Sequence, residues 1–167
     1  MITTARPLVI GVGNRWRSDD GVGPVIADTL VRLGHAAGDV TVSGVVPGDA
    51  DVVTLDGEPA RLVAAWDGRS HVVVVDAIVT GDRPGTVHLI DELERVPSPR
   101  SEASSHGGGV AAAIALGRVL GRLPERLVVI GVEPARTGHG DQLSPAVEAA
   151  VDDVARLVVE EVGIRCA

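Results

Sequence analysis

Short continuous apolar runs and helically spaced apolar positions take turns along this chain. Leu8 to Val12 is a short run bounded by glycine and predicts a buried strand. Val22, Val25, Ile26, Leu30 and Leu33 then recur at the spacing of one helix face. Val40 to Val46 alternates loosely and predicts a strand; Pro47 to Asp51 is a turn cluster. Val52 to Leu55 is a second short strand candidate, ending at Asp56-Gly57, which reads as a turn. Pro59 to Trp66 reads as a short helix with proline in its first turn. His71 to Val79 contains four consecutive valines, the pattern of a central parallel strand covered on both faces. Gly81 to Gly85 turns the chain into a further strand over Thr86 to Ile90, suited to a sheet edge.

Residues 92 to 109 are rich in Pro, Ser and Gly, and a loop of that length in a compact domain is more often functional than idle. Val110 to Leu120 is helical and rich in alanine, and Arg126 to Val132 repeats the buried-strand pattern. A polar loop, Glu133 to Gln142, leads to Ser144-Pro145, which opens the last helix with serine as N-cap and proline at the first position. That helix is expected to run to about Val162 and stop near Gly163. Strands alternating with helices predict an α/β fold over residues 1–167. It is expected to be a single-domain three-layer α/β/α sandwich, with a mostly parallel twisted sheet of about five strands and helices on both faces.

Composition narrows the partners. The chain is 167 residues long and 45% hydrophobic, enough for one sizeable core, yet it has no Phe or Tyr and only two Trp. A formal net charge of −8 and the shortage of aromatic stacking platforms argue against nucleic acid as a partner. No apolar run approaches the ~20 residues of a membrane span, so no membrane partner is expected. The N-terminus runs straight into the first strand without a signal-peptide pattern. Cys166, the single cysteine, has no internal disulfide partner. A cytoplasmic protein is the expectation.

The loop after the first strand carries adjacent carboxylates, Asp19 and Asp20, directly before a helix. Open α/β sheets keep their sites at the carboxyl ends of strands, where this loop lies. A dinucleotide fingerprint requires a third glycine after Gly11-Val-Gly13, and Trp16 stands at that position. The phosphate-cradling Gly-Lys-Ser/Thr triplet is missing from the chain. One of the two carboxylates is expected to cap the helix. The other is free for chemistry.

Asp76 directly follows four valines, where a carboxylate faces a desolvation cost unless it is paired or ligates a cation. If the loops converge, Asp20 or Asp19, Asp76 and His106 meet on one rim. Two carboxylates and an imidazole suit a divalent transition metal with positions left open. The bland alternatives are a helix cap, an aspartate bonded to a neighbouring loop, and a solvated histidine. Ser104 and Ser105 beside His106 lack a nucleophile elbow. His139 is placed in a flexible rim loop, and His35, His71 and His88 are read as structural.

Taken together, Gly11-Val-Gly-Asn14 and Arg17-Ser-Asp-Asp-Gly-Val-Gly23 resemble the N-terminal signature of the hydrogenase maturation proteases. The likeness continues in order through Leu55-Asp-Gly57, Val75-Asp-Ala-Ile-Val79, Gly81-x-x-Pro-Gly-Thr86, Ser105-His-Gly107, Gly131-Val-x-Pro134 and Leu143-Ser-Pro145. This resemblance implies an α/β/α endopeptidase that removes the C-terminal extension of the nickel–iron hydrogenase large-subunit precursor after nickel insertion. It also implies that Asp20, Asp76 and His106 contact nickel and carry catalysis. The nickel is then supplied by the substrate, on cysteine thiolates, rather than bound stably by the enzyme. Many family members carry glutamate where Asp20 stands, and Asp19 is its neighbour, so the choice between the two is open at this point. The stretch from Ala36 to Val53 is longer than the family's usual pattern. Two other functions fit the same residues: a nickel- or precursor-binding accessory protein that does not cut, and a metal-dependent hydrolase of a small molecule.

Overall fold

The computed structural model describes residues 6–36, 50–96 and 109–163, with the side chains of His35 and Ala36 excepted. Five strands form one sheet: β1 (Leu8–Val12), β2 (Asp51–Leu55), β3 (His71–Ala77), β4 (Val87–Ile90) and β5 (Arg126–Val132). Their spatial order is β2-β1-β3-β5-β4. The pairs β1–β2, β1–β3 and β3–β5 are parallel, and β4 closes one edge antiparallel to β5. Among the described residues four α-helices accompany them: α1 (Val22–Ala36), α2 (Pro59–Trp66), α3 (Gly109–Leu120) and α4 (Pro145–Gly163). The fold is the single-domain α/β sandwich that the alternation of patterns predicts.

The sheet is covered twice, and the strands' two-residue period divides the core. Val9, Val73, Val75, Val128, Ile130 and Val132 pack against α1 and α4. Leu8, Ile10, Val12, Val72, Val74, Leu127 and Val129 pack against α2 and α3 on the opposite face. Val72 to Val75 are all fully buried, as a strand with neighbours on both sides and helices on both faces requires. Each such side chain contributes ~1.5–3 kcal/mol of burial. Trp66 fills the layer between β3, α2 and α3.

Some boundaries differ from the sequence expectation. β2 starts at Asp51, one residue early, because the Asp51 N–H donates to Pro7 O and so joins the sheet edge. β3 stops at Ala77: Ile78 gives its N–H to Val132 O, and Val79 is exposed. Leu33, expected on the buried face of α1, is exposed as well. A 3-10 turn, Leu93–Arg95, stands in the described part of the segment expected to be loop from residue 92. The strand expected over Val40 to Val46 and most of the Pro47–Asp51 turn lie outside the described residues.

Strand order decides where a site can form. The chain leaves β1 through α1 to β2 on one side, then returns through α2 to β3 on the other. The loops after β1 and β3 therefore diverge to opposite sides of the sheet, which opens a crevice between their carboxyl ends. Asp20 stands in the first of these loops and Asp76 near the end of β3.

Candidate active site

The glycines of the first loop set the geometry of that crevice. A Cβ on Gly23 would lie 2.3 Å from Val12 O and 2.5 Å from Val75 O, so the first turn of α1 sits directly on the backbones of β1 and β3. Gly13 takes φ of 139°, and a Cβ there would stand 1.8 Å from Asp20 O. Close helix–strand approach, not phosphate binding, is what this glycine pattern provides. A short 3-10 helix, Ser18–Gly21, links the loop to α1 and packs on β3.

The adjacent carboxylates have different surroundings. Asp19 is fully buried and accepts four hydrogen bonds. Its Oδ1 takes the Ser144 N–H at 2.6 Å, and its Oδ2 takes the Ser144 hydroxyl at 2.9 Å, Ala135 N–H at 2.8 Å and Arg136 N–H at 3.0 Å. Burial alone would push this carboxyl up, but the bonds from Ser144, Arg136 and Ala135 together hold it below its ordinary value. Asp19 thus ties the β1 loop to the start of α4. Asp20 is only partly buried; its Oδ2 accepts the Asn14 N–H at 3.0 Å. The expected side-chain cap does not form on the 3-10 helix, whose N-cap position is Arg17 and makes no such bond. Ser144 stands at the N-cap position before Pro145, as expected, with its C=O accepting Glu148 N–H; its hydroxyl donates to Asp19.

Backbone bonds join the same two loops. Ser18 N–H donates to Gly140 O at 2.8 Å and Gly140 N–H donates to Trp16 O at 3.1 Å, with Arg17 and Gly140 forming a β-bridge. The Arg17 guanidinium adds a bond to Thr137 O. Ser18 is held at φ of 51°, the one non-glycine residue with a left-handed backbone among the described residues. The 133–142 loop, expected to be a flexible rim, is therefore fastened to the β1 loop. His139 is exposed on it and ligates nothing within the described residues.

Asp76 stands in β3 opposite Gly131 of β5. Burial is the main cause that holds its carboxyl well above the ordinary range, and the charge of Asp20 adds to it; the Ala77 N–H acts the other way. The structure therefore brings Asp20 and Asp76 together as an electrostatically coupled pair. A cation between two such carboxylates would relieve both causes, and oxygen donors of this kind accept divalent metals. No group of three or more His, Cys, Asp or Glu residues disposed to hold a metal occurs among the described residues. His106, with Ser104 and Ser105, lies outside them.

Asp19, the alternative the sequence left open beside Asp20, is structural. So is an acid the sequence did not single out, Glu133, buried at the end of β5, which accepts Thr80 N–H at 2.8 Å, Thr80 hydroxyl at 2.7 Å and Gly81 N–H at 3.2 Å. Burial would raise the Glu133 pKa, but the bonds from Thr80 and Gly81, with His88 nearby, bring it below the usual value. It fixes the loop that follows Asp76. His71 and His88, read as structural, are placed accordingly: His71 is buried 3.4 Å from Glu161, and His88 stands 3.4 Å from Asp82.

Comparison with known proteins gives a consistent answer. A family model described as hydrogenase maturation protease matches residues 45–161. The hydrogenase 2 maturation protease of Escherichia coli K12 is 29% identical over 150 residues, covering 88% of this chain and 84% of that protein. The hydrogenase expression/formation protein HupD of Bradyrhizobium diazoefficiens is 30% identical over 167 residues, covering 95% and 80%. Among solved structures, the hydrogenase maturating endopeptidase HybD of E. coli superposes with a TM-score of 0.75 at 26% identity, over 93% of this chain and 90% of that one.

Proposed function

Since the chain belongs to the hydrogenase maturation protease family, we propose that it is the endopeptidase that removes the C-terminal extension of a nickel–iron hydrogenase large-subunit precursor. In this reading the substrate's own nickel is the recognition element, and Asp20, Asp76 and His106 receive it. The work is done in the cytoplasm on a folded, metal-loaded precursor. Among the described residues no helix is long and apolar enough to cross a membrane.

One observation carries the reading: Asp76 is a desolvated carboxyl beside the charge of Asp20, at the strand-order switch where α/β folds bind their ligands. Such a pair is poor at holding two negative charges by itself and good at sharing a cation. Nickel arriving on precursor thiolates would be gripped transiently, because oxygen donors are weaker nickel ligands than thiolates. Asp76 gives up any proton it holds as the cation enters. What supports including His106 is chain order and layering. α3 begins three residues after it and packs on the face where strand alternation puts Asp76.

Catalysis then needs position and a proton acceptor. The two loops are locked by Asp19, by the Gly140 bridge and by Glu133, so the pair is preorganised when the precursor docks. The substrate's metal supplies Lewis acidity at the scissile carbonyl. A carboxylate of the pair accepts the proton of the attacking water.

An intact-mass assay tests this. Purified protein is mixed with nickel-loaded and nickel-free precursor from the same host. Loss of one C-terminal peptide from the loaded form alone is expected, and Asp20→Ala, Asp76→Ala and His106→Ala should each abolish it. Cleavage of nickel-free precursor would refute metal recognition, and processing by all three variants would refute the site.

A further inference from the structure

Trp16 is 70% exposed, four residues before Asp20. A lone exposed apolar residue is ordinary on a protein surface. This one differs in three respects. The chain has no Phe or Tyr and two Trp, of which Trp66 is fully buried, so its single exposed aromatic stands in the loop that carries Asp20. Its backbone is held on both sides: the Trp16 N–H donates to Asn14 Oδ1 at 2.9 Å, and its C=O accepts from Gly140 N–H at 3.1 Å. The following residues are anchored in turn, Arg17 by the β-bridge and Asp19 by its four bonds.

A side chain presented this way has little backbone freedom left to lose when it is covered, and preorganised aromatic anchors dominate protein recognition. Val79 offers a second exposed apolar side chain, 68% exposed and three residues after Asp76. Large exposed apolar groups thus follow or precede both acids of the pair at the carboxyl end of the sheet. A small-molecule site would enclose such groups in a pocket. A protein substrate covers them from outside.

We propose that Trp16 is a substrate-contacting residue that docks an apolar side chain of the precursor polypeptide beside the cleaved bond. The proposal rests on Asp20 and Asp76 being the reacting site, and the test separates the two. Trp16 contributes to affinity and not to bond breaking, so its loss should act on KM.

The protease is labelled with 5-fluorotryptophan, which gives two fluorine resonances, assigned with Trp16→Phe, and is titrated with unlabelled nickel-loaded precursor. The Trp16 resonance is expected to move while that of buried Trp66 stays, in the wild type and in Asp76→Ala alike. Trp16→Ala should raise KM at least ~10-fold with kcat within about twofold, and Trp16→Phe should recover most of the loss. Its fold should survive, because Asn14 and Gly140 bond only the backbone of Trp16. An unmoved Trp16 resonance, or an unchanged KM in Trp16→Ala, would overturn the proposal. Normal cleavage by Asp76→Ala would instead refute the acid pair and leave the Trp16 shift as the measure of docking.

Discussion

Replacing Asp19 and replacing Asp20 should break different things. Asp19→Ala strips the acceptor from Ser144 N–H and hydroxyl, Ala135 N–H and Arg136 N–H, all at 2.6–3.0 Å from a fully buried carboxylate. A hydrogen bond to a charged group is worth ~1.5–3 kcal/mol net, and an orphaned buried donor costs ~1–3 kcal/mol. The four do not add, because water enters the vacated space and serves part of the set, and because the wild type pays to bury the charge. About 3–5 kcal/mol of destabilisation is expected, near the top of the range for single substitutions. For a chain of this size that is a fall in Tm on the order of 10 °C. Asp19→Asn keeps the volume but presents an amide donor to other donors, so it should recover little. Asp20→Ala leaves the clamp intact and should cost under ~1 kcal/mol while abolishing processing. Urea unfolding followed by far-ultraviolet circular dichroism, with slopes compared across variants, measures all three. A loss below ~1 kcal/mol in Asp19→Ala, or equal losses in Asp19→Ala and Asp20→Ala, would refute the division of labour between these neighbours.

Gly23→Ala places a methyl 2.3 Å from Val12 O and 2.5 Å from Val75 O, so α1 must move off the strands. A stability loss of ~1–3 kcal/mol is expected, with kcat reduced because Asp20 moves with the helix; unchanged kcat with an unchanged Tm would contradict the close approach. His71 is kept below its ordinary pKa by burial, opposed by the Glu161 charge and assisted by Arg126. A depressed histidine pKa means the unfolded chain takes up a proton first, so stability is full above the unfolded value near 6.5 and declines as pH falls below it. Thermal melts from pH 7.5 to 5.5 should therefore show a steeper loss in the wild type than in His71→Gln; parallel losses would refute the assignment.

How much of this was legible beforehand depends on whether the information is local. Strand and helix identities are local: four valines in a row, Ser-Pro before a helix, apolar residues at three- and four-residue spacing. Each of the five observed strands coincides with a predicted run to within a couple of residues. Asp76 was legible for the same reason, since a carboxylate attached to a buried run must find compensation wherever the strand lies. Strand order was not. Nothing local places β2 beside β1 and sends β3 to its other side, yet that reversal opens the crevice. Val79 and Leu33 were misplaced because periodicity continues in sequence after packing has ended. Ile78 N–H makes a last bond to Val132 O of β5, beyond which Val79 is exposed, and Leu33 is exposed on α1.

The adjacent acids mark the boundary of what one sequence can show. Asp19 and Asp20 have the same chemistry, lie in the same loop and precede the same helix. Their roles are set by residues more than a hundred positions away: Ala135, Arg136 and Ser144 turn four donors toward one of them and none toward the other. Two of the donors come from a loop whose own sequence reads as a flexible rim, and two from Ser144 at the start of α4. The Gly140 bridge and the bond from Ser18 N–H to Gly140 O fasten that loop to the β1 loop beside those donors. The buried carboxylate is engaged by four protein donors, and the partly open one is coupled to Asp76. A buried acid therefore argues for a site only after its donors have been counted. Asp19 and Glu133 are deeply buried and structural, whereas the coupled pair of Asp20 and Asp76 is short of donors and holds unspent charge. That unspent charge, at the switch of the strand order, is what a substrate-borne cation would answer.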